Sequence, residues 1–183
     1  MKKYFIPIIG AISSGKTTFL KGFLGIDILE TGSTTTTKFV CLIKNSDKFL
    51  FYHAIPKKEE NVITFTKVGE VSEGEEQIIS KMKEINHSLS QIKKKDSLNN
   101  IFYMLEAPIK NIDNEFILEN SYFMDIPGLN ENEKNYIDDI FSLISFNDIL
   151  FEIIIFDSTN IGSDNIMKIL LSLDKKKSFE KRK

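Results

Sequence analysis

Gly10-Ala11-Ile12-Ser13-Ser14-Gly15-Lys16-Thr17 decides how this chain is read. It spells G-x-x-x-x-G-K-[ST], a loop whose backbone N–H groups cradle phosphate. An apolar run, Tyr4 to Ile9, precedes it, and a helical segment, Thr17 to Leu24, follows. That order, strand then loop then helix, is the context the motif requires. Gly10 and Gly15 permit the tight turn, and the backbone at Ser13 and Ser14 lies between them. Lys16 is placed to reach β- and γ-phosphates, and the Thr17 hydroxyl to hold Mg²⁺.

The chain has 183 residues, enough for one domain with a substantial core. Its 42% hydrophobic and 27% charged content is that of an ordinary globular protein. A net charge of -2 gives no basic field, so no nucleic-acid partner is expected. The one cysteine, Cys41, sits in an apolar run and excludes an intramolecular disulfide or a Cys-rich zinc site. Met1-Lys2-Lys3 followed by Tyr4–Ile12 imitates a short signal peptide. Cleavage near Ser13 or Ser14 would destroy the phosphate loop, so this stretch is read as the first strand and the chain as cytoplasmic. No apolar run approaches the roughly 20 residues of a membrane-spanning helix.

Downstream of Gly25, a helix stop, Asp27–Thr37 is a polar loop ending in Thr34-Thr35-Thr36-Thr37. Placed after the phosphate-binding helix, it reads as a switch loop that offers a hydroxyl and a backbone N–H to Mg²⁺ and the γ-phosphate. Phe39–Lys44 and Lys48–Ala54 read as a hairpin turned by Asn45-Ser46-Asp47, and Val62–Thr66 as a short strand. Ser72–Lys95 reads as a helix N-capped by Ser72, with Ile78, Ile79, Met82, Ile85, Leu89 and Ile92 on one stripe that packs on the domain. Ile101–Glu106 is a strand, and Glu115–Leu118 starts a hairpin-like return into Tyr122–Ile126. Asn135–Phe146 is a helix, Ile149–Phe156 a strand buried on both faces, and Asn165–Leu173 a helix. Residues 174–183 form a basic tail. The alternation predicts an α/β fold of the P-loop NTPase kind, with a doubly wound, mainly parallel sheet flanked by helices.

Asp125-Ile126-Pro127-Gly128 completes the candidate site. An aspartate at a strand's C-terminal end lies where α/β sheets bind ligands. On a strand parallel to the first, Asp125 can approach Mg²⁺, usually through water. Gly128 lets a backbone N–H near a γ-phosphate.

Together, Gly10–Thr17, the threonine loop and Asp125–Gly128 resemble the first three nucleotide motifs of a GTPase domain. The chain is most similar to the dynamin superfamily, including its EHD-type and bacterial-like branches. The likeness runs through ISSGKTTFLKGFLG, TTTTKFVCLI, the long insertion before DIPG, and NDILFEIIIFDSTN, and covers about residues 4–173. It implies a partial GTPase domain over 1–173 that binds GTP with Mg²⁺, hydrolyses it, self-associates across its nucleotide face and touches membranes peripherally through other regions. It also implies a catalytic role for Ser13 and an α-phosphate contact for Thr18. Thr35 or Thr36 best matches the switch threonine, with Thr37 remaining open. Two departures stand out. Ile12 sits where dynamins proper often carry glutamine. No [NT]-K-x-D guanine motif occurs before Lys183, so a fragment lacking the base-reading half is expected. A catalytically weak nucleotide-binding or assembly module, and an ATP-using P-loop protein, are the rival readings. For GTP hydrolysis no side chain is an evident general base, so positioning and charge stabilisation are expected to carry the chemistry.

Overall fold

Strand β1 (Tyr4–Gly10) is the middle of the phosphate side of the sheet: six of its seven residues are buried, Phe5 to Gly10. In the computed structural model, residues 2–29, 38–59, 62–91, 102–128, 140, 143–144 and 146–156 are described. A run of Phe and Ile buried on both faces suits an interior strand. Pro7 is accommodated because its ladder partner is Met124, on one neighbour. On the other side the pairing lapses at Pro7: Phe5 bridges Ile149, and continuous pairing resumes at Ile8 opposite Ile153. The missing donor falls in that gap.

Helix α1 (Lys16–Leu24) follows the loop and ends at Gly25, whose φ of 68° lets its N–H bond the Lys21 carbonyl. Strands β2 (Val40–Asn45), β3 (Leu50–Glu59) and β4 (Val62–Glu73) come next, then helix α2 (Glu75–Ser90). Strand β5 (Phe102–Ala107), helix α3 (Glu115–Asn120) and strand β6 (Ser121–Asp125) follow. A 3₁₀ turn, Phe146–Asp148, leads to β7 (Ile153–Ile155).

The described strands form one sheet of order β4-β3-β5-β2-β6-β1-β7. The α/β expectation holds, and the sheet is mixed. β1 runs parallel to β6 and β7, and β2 parallel to β5. The β2–β6, β3–β4 and β3–β5 pairs are antiparallel. Two apolar layers cover the sheet. Ile6, Ile8, Leu20, Leu24 and Phe123 share one buried cluster with Ile78, Met82, Ile85 and Leu89 of α2. Phe5, Ile9, Met104, Met124, Ile140 and Ile144 make the other.

Several local expectations are corrected. β2 and β3 do not pair, because β5 lies between them. The Asn45-Ser46 corner is tied to the end of β5 instead. Ser46 N–H donates to the Ala107 carbonyl, and the Asn45 carboxamide accepts from Ile109 N–H. β2 has four buried residues in succession, Val40 to Ile43, and needs neighbours on both sides. β4 is twelve residues long rather than five and forms the hairpin with β3, so Ser72 lies in a strand opposite Phe51 and caps nothing. The helix starts after Gly74. Ile78, Met82, Ile85 and Leu89 do face the core, and Ile92 lies outside the described residues. Glu115–Leu118 is helical, N-capped by Asn114, which accepts from Ile117 N–H at 3.1 Å. Ile149–Phe156 pairs as a strand only over Ile153–Ile155, which are half-buried at the sheet's described edge, and Phe156 is exposed. The helices expected over 135–146, apart from Ile140, Leu143, Ile144 and Phe146, and over 165–173 lie outside the described residues, as does the basic tail.

Phe65 of β4 touches Phe5, Phe102 and Tyr122, with ring centroids 5.7–6.2 Å apart. Four strands separate β4 from β1 in the sheet, so the β3–β4 hairpin must fold back over that face. A register shift between Tyr52 and His53 marks the bend.

Candidate functional site

The loop between β1 and α1 takes its shape from two residues with left-handed backbone. Ser13 has φ 58° and Gly15 φ 86°. Left-handed residues on either side of Ser14 make the alternating pattern that turns successive N–H groups toward one anion. For Ser13 that conformation costs about 1–3 kcal/mol, strain that persists only where the surroundings impose it. No side chain caps α1, and its first turn carries no acidic residue. The positive end of its dipole is therefore left to the loop. Gly10 cannot be anything larger: a Cβ there would collide with the Ile155 carbonyl and sit 2.7 Å from Ser14 Oγ. Among the described residues Ser14 Oγ itself, which is buried, has no hydrogen-bond partner.

Lys16 is the first residue of α1 and is buried. Its ammonium donates to the Gly10 carbonyl at 3.1 Å and the Ala11 carbonyl at 2.8 Å, across the loop. Burial pushes its pKa below the ordinary lysine range, and the negative Asp125 pulls it partly back. Asp125 ends β6 opposite Ile8 of β1 and Cys41 of β2. Side chains alternate along β6, so Asp125 shares the face of Phe123, the face that α1 covers. Thr17 meets it there, its hydroxyl donating to Asp125 Oδ2 at 3.0 Å. The carboxylate is buried, and it adds to the burial that raises the Cys41 thiol well above its usual range. Beyond Asp125, Gly128 is packed against the phosphate loop. A Cβ on it would lie 2.6 Å from Ile12 Cα and 2.9 Å from Ile12 N.

The chemistry of this donor set fits a nucleotide phosphate with its metal. Mg²⁺ prefers hard oxygen ligands, one or two carboxylates together with phosphate oxygens and water. Thr17 commits its proton to Asp125, which turns the hydroxyl's oxygen into a ligand-type donor. Lys16, the loop amides and the helix end supply positive charge.

Of the residues read from sequence, Gly10, Ser13, Ser14, Gly15, Lys16, Thr17, Asp125 and Gly128 gather at the C-terminal ends of β1 and β6. Thr18 follows on the exposed side of α1. Thr35, Thr36 and Thr37 lie outside the described residues. Two features escaped sequence reading. The left-handed Ser13 has no local signal, since serine is not the residue expected at positive φ. The closeness of Gly128 to Ile12 joins two loops more than a hundred residues apart. Among the described residues no cluster of three or more His, Cys, Asp or Glu side chains forms a separate metal site. No described helix is long and apolar enough to cross a membrane.

A phosphate loop between strand and helix, with an aspartate on the adjacent parallel strand bonded to the loop's threonine, defines a P-loop NTPase. The model of the dynamin family matches residues 6–179. The chain belongs to the dynamin family. No curated protein matches it. Two solved structures of an oligomerised bacterial dynamin pair, described as a mechanism for long-range sensing and tethering of membranes, are similar to 94% of this chain. Identities are 19% and 17%, each with a TM-score of 0.42. The chain spans 28% of the length of either.

Proposed function

We propose that this domain binds GTP together with Mg²⁺ and hydrolyses it, using the site at the ends of β1 and β6. The observation that carries the reading is the Thr17–Asp125 contact beside a buried Lys16, at the mouth of a phosphate loop in a dynamin-family chain. Lys16 would neutralise charge on the β- and γ-oxygens. Thr17 and Asp125 would hold the metal, directly and through water, and Ser13, Ser14, Gly15 and Thr18 would bind phosphate oxygens. Bound Mg²⁺ would supply charge stabilisation at the transferring phosphoryl group. One of Thr35, Thr36 and Thr37 would orient the attacking water, since phosphoryl transfer depends on positioning and charge more than on a strong base. Ser13, already held at the loop's tip in a left-handed conformation, is placed to assist there. The same family membership supports self-association across the nucleotide face and peripheral membrane contact from a cytoplasmic location.

The test is titration of a fluorescent GTP analogue with and without Mg²⁺, against Lys16→Ala. Losing a charged partner of the phosphates should weaken binding about 10–100-fold. Equal affinity in the variant would overturn the site. Competition with ATP reads base selectivity, and phosphate release that rises with protein concentration supports a self-stimulating enzyme. Binding without release at any concentration would point to a nucleotide-gated assembly module instead.

A further inference from the structure

Ser14 is short of good partners at both its backbone and its side chain. Its N–H donates to the Ala11 carbonyl at 3.3 Å, a long turn bond, and that carbonyl already accepts from the Lys16 ammonium at 2.8 Å. Its hydroxyl oxygen is buried, and among the described residues nothing bonds it. A hydroxyl withdrawn from water without a partner costs free energy. Alanine at this position would avoid that cost.

The geometry supplies a partner close by. The hydroxyl lies against the bare Cα of Gly10, where a Cβ would sit 2.7 Å from it. The same Cβ would strike the Ile155 carbonyl oxygen. Hydroxyl and carbonyl therefore border one space, the space that glycine leaves empty. Ile155 is the last residue of β7 and pairs with Gly10 in the parallel ladder. No hydrogen bond joins the two groups as the loop stands. Phosphate provides the reason for the loop to move. An anion seated in the loop recruits its backbone N–H groups. The Ser14 N–H then leaves its long bond to Ala11, and turning that peptide carries the side chain with it.

We propose that Ser14 is a positioning residue that ties the phosphate loop to β7 when a nucleotide's β-phosphate is bound, its hydroxyl then donating to the Ile155 carbonyl. The inference rests on the nucleotide reading of the site given above. The hydroxyl touches neither phosphate nor metal. Its bond is missing in the free protein and made in the complex, so it adds to affinity and stiffens β7. Diphosphate and triphosphate are affected alike, because the loop cradles the β-phosphate that both carry.

The experiment compares Ser14→Ala, which removes the hydroxyl, with Ser14→Cys, which keeps nearly the same shape but only a weak donor. Three readouts are taken on the wild type and both variants. They are thermal unfolding of the free protein, affinity for GDP and for a non-hydrolysable GTP analogue with Mg²⁺, and amide exchange over Ile153–Ile155 with and without GDP. S14A should show opposite signs. The free protein melts about 2–4 °C higher, having lost a buried group without a partner, while both nucleotides bind about tenfold more weakly. S14C should lose most of that affinity as well. GDP should slow exchange over Ile153–Ile155 in the wild type and far less in S14A. A serine that only packs would move stability and affinity in the same direction and leave exchange in β7 alone. A melting temperature that does not rise in S14A overturns the proposal, as does wild-type affinity in S14C or equal GDP protection of β7 in wild type and S14A. Wild-type protein that binds neither nucleotide overturns the nucleotide reading and this role with it. Wild-type protein that binds both, with S14A binding them equally well, overturns the role of Ser14 alone.

Discussion

On one side of the sheet β6, β1 and β7 run parallel and carry Asp125, the phosphate loop and the approach of Ile155 to Gly10. On the other, β4, β3 and β5 run antiparallel, and their long hairpin folds back over Phe5 and Tyr122. The first side is held by close backbone contacts that tolerate no added atom: Gly10 at Ile155, Gly128 at Ile12. The second is held by aromatic packing between residues distant in both sequence and sheet order. Substitutions on the two sides should accordingly separate binding from stability.

The largest separation is expected at Phe65. Its ring joins Phe5, Phe102 and Tyr122 under the hairpin and is half-buried. Discounting a full Phe→Ala cost for that partial burial, Phe65→Ala should lose about 2–3 kcal/mol in denaturant unfolding. Nucleotide affinity should hold wherever the protein is folded. A stability loss near zero would mean that the hairpin is a loose flap and the comparison false.

Gly128→Ala attacks the other side. The added methyl must displace Ile12 backbone, not a flexible side-chain tip. We expect a cost of about 1–2 kcal/mol in stability, as for overpacking elsewhere, and a drop in triphosphate affinity of at least similar size, read by fluorescent-nucleotide titration. Gly69 supplies the control on the hairpin. It has φ 75° and nothing within 4 Å of a Cβ, so Gly69→Ala strains the backbone alone and should leave affinity intact. Equal effects on binding from both would erase the distinction between the sides.

The same contrast explains what the sequence disclosed. The adjacency of Lys16, Thr17 and Asp125 was legible because a motif fixes each residue's place at a strand end, and two such ends on parallel neighbours can meet only there. The partners of β2 and β3 were not legible. Asn45-Ser46-Asp47 is a true corner, yet a corner does not say which strand lies across it, and β5 joins from more than fifty residues away. Ser72 looked like a cap because a hairpin's returning strand and a helix entry both favour such residues. Glu115–Leu118 was misread although Asn114, three residues before Ile117, carried a helix-start signal.

Titration of Lys16 tests the phosphate side alone. Burial holds its pKa below the usual lysine range in the free protein, and a bound polyphosphate would raise it. The protonated form is then favoured more in the complex than in the free protein. Affinity is fullest below the free-protein pKa and is lost as pH rises through it, by up to about tenfold per unit. Nucleotide titrations carried upward in pH through that pKa should show this in the wild type and not in Lys16→Met. A flat wild-type profile would separate Lys16 from the phosphates.

The smallest effect is expected at Asn114, which lies far from Asp125 yet feeds the same strand. Its side chain caps α3, a six-residue helix too short to persist on its own. α3 runs directly into β6, with Ser121 serving as both helix cap and first strand residue. Asn114→Ala removes one exposed capping bond and should cost about 1 kcal/mol of stability. If β6 is positioned by its ladders to β1 and β2, nucleotide affinity should not move, because those pairings hold Asp125 from both sides independently of the helix. A matching loss of affinity would show that the register of β6 is set from its N-terminal end, and that the phosphate side depends on distant packing as much as the hairpin does.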